Sequence, residues 1–403
     1  METSDGVSDV DAALLAPLVG SLLRSDASLD GPWSTQPLHG GFGGQGLFRF
    51  AGRARLGDAT RPWSLILKIA PPPQPHDDPQ AWNNPRREAL AYTSGFLDRL
   101  PGPLVAPCCL GLTERPDGSR WVWLEDIVDE RPGPWDLDRY ALAAQHLGRF
   151  NGDWLVAGPL PDHDWLSRDW LRRYITAEGH VAAKLTVADD APPLLRQSFP
   201  PQSIARFRKL WTEREMFLGA LDRLPQTVCH HDAFRRNLFS RRGPDGMEQT
   251  VAIDWAFTGI GAVGAEVAPL VLGSLLFFEV ADADPQDLVE ATLSGYVMGL
   301  REAGWDGDVR LVRLGFLATA ALLYTIGPVG LVVAELSDPA QYSELEHALG
   351  RSMAETVDNW ADLQAFQFEL ADEAQRLLAI TTQEPGAHPA PGVVCRAGKV
   401  FRH

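Results

Sequence analysis

One stretch constrains this chain more than any other: His230-His231-Asp232-Ala233-Phe234-Arg235-Arg236-Asn237, followed by the apolar run Val251-Ala252-Ile253-Asp254-Trp255. It belongs to a β-like island, Thr227 to Cys229, Leu238 to Ser240 and Val251 to Trp255, with a turn at Gly243 to Gly246 between the last two runs. The pattern presents a carboxylate (Asp232), a carboxamide five residues on (Asn237) and a second carboxylate (Asp254) at the end of an apolar strand. Phosphoryl transfer needs these groups: one carboxylate beside an attacking hydroxyl and an oxygen-donor pair for a hard cation. Taken alone, Asp232 and Asn237 also suit a turn, and Asp254 a strand end. The residues upstream decide between the two.

From Leu137 onward the apolar residues around this island recur at three and four, predicting helices over Leu137–Val156, Pro201–Leu221, Pro285–Ala303, Val309–Ile326 and Gln341–Ile380. Before Leu137 the chain mixes β-like runs (Leu47–Leu56, Trp63–Ile69, Trp121–Ile127) with one helical pattern, Asn84–Leu100, separated by a loop containing Pro71, Pro75 and Pro79. The expectation is an α+β, bilobal molecule. A β-rich lobe would occupy residues 1–126, a helical lobe 127–382, and a poorly ordered Pro- and Gly-bearing tail 383–403.

Two further features lie in the first segment. Gly40-Gly41-Phe42-Gly43-Gly44-Gln45-Gly46 carries a G-x-G-x-x-G pattern at Gly41, Gly43 and Gly46, and glycine lets backbone amides approach phosphate oxygens. Leu47–Leu56 after it alternates like a strand, so a dinucleotide-binding turn into a helix does not fit and a glycine-rich flap between two strands does. Lys68 sits inside the apolar run Leu65-Ile66-Leu67-Lys68-Ile69, where an ammonium must snorkel, pair or meet a ligand. Glu88, twenty residues on, is its candidate partner.

Composition limits the alternatives. The chain has 403 residues with 45% hydrophobic content, enough for a sizeable core, and a formal net charge of −17 that weighs against nucleic acid as a partner. Cys108, Cys109, Cys229 and Cys395 show neither C-x-x-C spacing nor a disulfide framework, which predicts reduced thiols and a cytoplasmic protein. Ala12 to Leu23 lacks the basic leader of a signal peptide, and the apolar run Leu314 to Ala334 is broken by Gly327-Pro328, predicting a buried helix pair with no membrane partner.

With these motifs in this order, from Leu38 to Leu276 and more loosely to Ile380, the sequence resembles the aminoglycoside phosphotransferase and choline kinase group of the protein-kinase-like fold. The resemblance implies an ATP-dependent transfer to a hydroxyl of a small molecule such as an aminoglycoside, sugar or amino alcohol. It makes Asp232 the catalytic residue and assigns Asn237 and Asp254 to Mg²⁺. It assigns ATP to Gly41, Gly43, Gly44, Gly46, Lys68 and its partner Glu88, with a hinge at Trp123 to Ile127 whose backbone near Glu125 and Ile127 meets adenine. His230 becomes a structural residue, and Glu266 stands where the family carries an Asp that braces the catalytic loop.

Three rival readings remain. A protein kinase is disfavoured by His231 in place of the Arg of H-R-D, by Trp255-Ala256 after the metal-binding Asp, and by the lack of an A-P-E element. A metal-dependent phosphohydrolase would use His231-Asp232 and Asp254 with His146 or His180, but the β-like surroundings of Cys229 and Ile253 argue against its helical fold. An ATP-binding pseudokinase keeps all the same groups without turnover. The inserts Pro159–Trp170 and Tyr174–Pro200 are expected to shape the acceptor site, with Asp162, Asp164 and Asp169 as candidate contacts to a cationic acceptor.

Overall fold

The computed structural model describes residues 7, 9–38, 46–281 and 283–383. Its N-terminal part is a six-stranded antiparallel sheet. Strand Leu47–Leu56 pairs with Ser28–Leu29, with Ser34–Pro37 and with Ala59–Ala70; the last continues to Arg120–Glu125 and then Cys109–Glu114. Helix Ala12–Leu23, capped by Asp11, covers one face and buries Leu15, Leu18 and Val19 against Phe50, Leu65, Leu67 and Trp123. Alternation along Ala59–Ala70 sends Trp63, Leu65 and Leu67 into this core, so Ile66 and Lys68 face the other way, toward the cleft and the second lobe.

The predicted helix over 84–100 is shorter, Arg87–Thr93, because Pro85 lies in the turns that precede it and Gly95 leaves it at φ +68°. The run predicted as one helix over 341–380 is two, Tyr342–Leu349 and Met353–Gln383, broken at Gly350 with φ +67°. The remaining C-terminal helices include Leu137–Ala157, Trp170–Glu178, Pro201–Arg223, Pro285–Glu302 and Val309–Thr319. The apolar run after Val309 is long and apolar enough to cross a membrane; it widens into a π-helical stretch at Ala320–Ile326, breaks at Gly327-Pro328 and resumes as Val329–Ser337. Within its most apolar window 67% is buried in the fold. Cys108, Cys109 and Cys229 are free thiols; Cys395 lies outside the described residues.

The scaffold beneath the island is a very close helix pair. Helices Leu137–Ala157 and Pro285–Glu302 cross where Gly148 and Gly152 meet Gly295 and Gly299. A Cβ added at Gly148 would lie 2.0 Å from the Tyr296 carbonyl oxygen, and one at Gly295 would lie 2.1 Å from that of Ala141. Only glycine permits such an approach, which brings Tyr296 and Asn151 within reach of each other. Tyr296 Oη donates to Asn151 Oδ1 (2.6 Å), and Asn151 Nδ2 donates to the Val228 carbonyl (2.7 Å). The helix pair thereby fixes strand Gln226–Cys229, which leads into His230.

Candidate active site

The cleft has two walls. On the sheet side, Lys68 Nζ donates to both carboxylate oxygens of Glu88, at 2.8 and 2.7 Å, and lies 3.5 Å from Asp254 Oδ1. Glu88 also accepts the Trp255 amide at 3.3 Å, so one carboxylate ties strand Ala59–Ala70 to the segment after Asp254. Burial alone would strip the Lys68 proton, but the carboxylates of Asp254 and Glu88 outweigh it and hold the ammonium charged. The sequence pairing of Lys68 with Glu88 is therefore observed directly.

On the other wall, strands Gln226–Cys229 and Gly259–Ala262 pair antiparallel, as do Leu238–Arg242 and Glu248–Ala252. The strand predicted over 251–255 ends at Ala252, because Asp254 turns into the left-handed region at φ +61° before a short 3₁₀ turn. His231 sits at φ +67°. Left-handed backbone at a non-glycine costs roughly 1–2 kcal/mol and is retained where surrounding contacts over-determine it.

Those contacts are specific. His230 Nε2 donates to the Ile253 carbonyl (2.9 Å) while its Nδ1 accepts the Asp232 amide (3.2 Å), which fixes the neutral tautomer. Burial lowers the His230 pKa to about 4 and that of His231 to about 3. Glu266 is fully buried and accepts the His231 amide at 2.8 Å, so the longer side chain still braces this loop. Burial raises its pKa to about 7 and drives the neighbouring Cys229 thiol up as well. Asn237 Nδ2 donates to Asp232 Oδ2 (2.8 Å) and to the Asp232 carbonyl (2.9 Å). Burial, and next the charge of Asp254, raise the Asp232 carboxyl well above the usual range, with Asn237 opposing.

The glycine-rich segment joins two antiparallel strands. Pro37 pairs with Phe48, the Leu38 amide donates to the Leu47 carbonyl (2.8 Å), and Ile69 donates to the Gly46 carbonyl (2.8 Å). Gly46 packs so closely that a Cβ would lie 2.9 Å from the Phe48 ring. Gly41, Gly43 and Gly44 lie outside the described residues. The Glu125 amide donates to the Cys108 carbonyl (3.0 Å) and its carboxylate accepts from Arg241 (3.0 Å); Ile127 follows just beyond the strand end.

Two arginines escaped the sequence reading. Arg87 is wholly buried and donates to the carbonyls of Trp165 (3.0 Å), Trp82 (3.1 Å) and Ala256 (2.9 Å), which bolts the helix bearing Glu88 to the segment after Asp254. Burial lowers its pKa to about 10. Arg235 is buried within the loop, pairs with Asp129 (2.7 Å) and lies over the Trp135 ring at 4.3 Å. The only sequence signal was an arginine beside each motif residue, and adjacency does not tell a buried guanidinium from a solvated one.

The profile of the phosphotransferase enzyme family matches residues 51–306. Among solved structures, an amicoumacin kinase in complex with AMP-PNP, Ca²⁺ and Ami aligns at 13% identity with a TM-score of 0.46, covering 81% of this chain and 88% of that one. Spectinomycin phosphotransferase with ADP and spectinomycin aligns at 13% identity and 0.47, covering 92% and 100%. A Plasmodium vivax ethanolamine kinase aligns at 12% identity and 0.47, covering 83% and 82%. No curated protein sequence matches the chain.

Proposed function

The chain belongs to the phosphotransferase enzyme family, and from that premise we propose that it transfers the γ-phosphoryl group of ATP to a hydroxyl of a small molecule. The single observation that carries this reading is the Lys68–Glu88 pair, with Asp254 beside it, facing a loop in which Asn237 orients Asp232. In the proposed roles Lys68 meets the nucleotide phosphates, Glu88 aims it, and Gly41, Gly43, Gly44 and Gly46 cover them. The backbone at Glu125 and Ile127 meets adenine, and the lobes divide at 126/127.

Asp232 takes the acceptor proton as the acceptor oxygen bonds to the γ-phosphorus and the bond to the bridging oxygen breaks, leaving its electron pair on ADP. A carboxylate whose proton affinity is raised by burial suits that role. Asn237 and Asp254 would hold Mg²⁺. They fit it: with Nδ2 committed to Asp232, Asn237 has its carbonyl oxygen left, and with the partly exposed Asp254 carboxylate this is an all-oxygen donor set. When bound, the cation neutralises charge on the phosphates.

ADP release by purified protein with Mg²⁺ and ATP, across sugars, amino sugars, nucleosides and amino alcohols, tests the reading, with Asp232→Ala as control. Acceptor-dependent release lost in the variant supports it. Absence of nucleotide binding overturns it.

A further inference from the structure

The acceptor side of Asp232 is built from aromatic rings. Trp170 stacks on Tyr174 (ring centroids 5.3 Å apart, 7° between planes) and on His231 (5.0 Å, 12°). Trp82 meets Tyr174 at 5.1 Å and 81°, and Phe257 lies 5.0 Å from Trp170. Tyr324, in the π-helical stretch, reaches the Gly273–Phe234 contact: a Cβ on Gly273 would be 3.0 Å from Tyr324 Oη and 2.8 Å from Phe234 Cβ. Phe234 is two residues past Asp232, and the Asp232 charge acts on both the Tyr174 and Tyr324 hydroxyls. Trp82, Tyr174, Phe234, Phe257 and Tyr324, all partly buried, thus gather near the carboxylate.

Four acidic groups on this face share arginines. Asp169 and Asp78 both bind Arg173, at 2.6 and 2.7 Å, and Asp162 binds Arg168 at 2.6 Å. Glu279 binds Arg236 at 2.7 Å. Glu178, whose charge reaches Tyr174, is exposed. A polycation needs several unpaired carboxylates, and these four are shared with arginines. Nor are the rings arranged as a cage for one ammonium: the faces of Trp170 are taken by Tyr174 and His231, and ring edges repel cations while welcoming another ring.

Resting on the phosphotransferase reading above, we propose that the acceptor is a neutral alcohol carried on a flat apolar ring system, or a glycoside of one, stacked beside Trp82 and Tyr174 with its hydroxyl turned to Asp232. Tyr174 and Tyr324 supply the two hydroxyls that orient its polar edge.

The test measures nucleotide binding first, with a fluorescent ATP analogue, and then ADP release with two probe sets. One holds neutral aryl glucosides such as 4-methylumbelliferyl glucoside and polycyclic alcohols; the other holds kanamycin, choline and ethanolamine. The expected result is transfer to the neutral set alone, insensitive to 0.5 M salt because an uncharged ligand has no ionic attraction to screen. Trp82→Ala should raise the acceptor KM roughly tenfold with unchanged nucleotide affinity, since the Trp82 carbonyl that Arg87 and Trp170 use remains in place. Transfer to the cationic set alone, or to neither set by a protein that binds nucleotide, overturns the acceptor assignment and leaves nucleotide binding standing. Failure to bind nucleotide overturns the reading beneath it instead.

Discussion

The two walls of the cleft hold their charged groups by opposite means. The sheet wall places unlike charges in contact: Lys68 against Glu88 and Asp254, stable because each charge has a partner. The loop wall relies on burial: it keeps His230 and His231 neutral, sets Glu266 near pH 7 and raises the Asp232 carboxyl. The first design fixes a cation where an anionic ligand arrives. The second fixes a backbone, because neutral side chains can serve as hydrogen-bond pins without a compensating charge.

The sharpest test of the contrast is Asp232→Ala. Turnover should fall between about 10²- and 10⁴-fold in steady-state assays, while the urea midpoint stays the same or rises, since a buried carboxylate is removed. A large loss of stability would mean that Asp232 holds the loop together.

On the sheet wall, Lys68→Met leaves Glu88 and Asp254 facing each other, and should cost about 3 kcal/mol in urea unfolding, the usual size of a broken buried pair. Glu88→Gln should cost less, because Asp254 still faces the ammonium. If the double variant equals the sum of the singles, the two residues are not coupled and the comparison fails.

Acidity separates the walls next. The folded-state pKa values of His146 and His230, about 4, and of His231, about 3, lie below their ordinary value of 6.5, so the unfolded chain takes up more protons and stability falls as pH drops from 6.5 toward 4. Glu266 acts in the opposite direction. Its value is raised from 4.5 to about 7, so its contribution is complete below pH 4.5 and is lost as pH rises through 7. That shift corresponds to about 3 kcal/mol. Glu266→Gln should therefore flatten the slope between pH 4.5 and 7 in pH-dependent urea midpoints, and His146→Gln should flatten the acid side.

The smallest effect is expected at the hinge. Glu125→Ala should change nucleotide affinity less than about threefold by fluorescence titration, because backbone groups carry such contacts and the side chain is occupied by Arg241.

Asp232, Asn237, Asp254, Lys68 and Glu88 were all legible in the sequence, because chemistry that needs specific side chains at fixed spacings leaves them in order along the chain. Helix ends were less legible: Gly350 and Gly95 stop helices through a positive φ, whereas Gly148 and Gly295 sit inside helices, and composition does not separate the two uses. The inserts were marked as acceptor-shaping, but Asp162 and Asp169 read as candidate contacts until their arginine partners were seen.

By itself, then, the sequence determined the fold class and the phosphotransferase family, since periodicity and motif spacing are local properties. Only tertiary structure decided that Arg87 is a buried bolt, that Glu266 reaches the His231 amide, that two glycine-lined helices set the strand before His230, and that Trp170 stacks on both Tyr174 and His231. Each of these joins residues far apart in the chain, and burial, which sets their charge and hydrogen bonding, is a property of the packed whole.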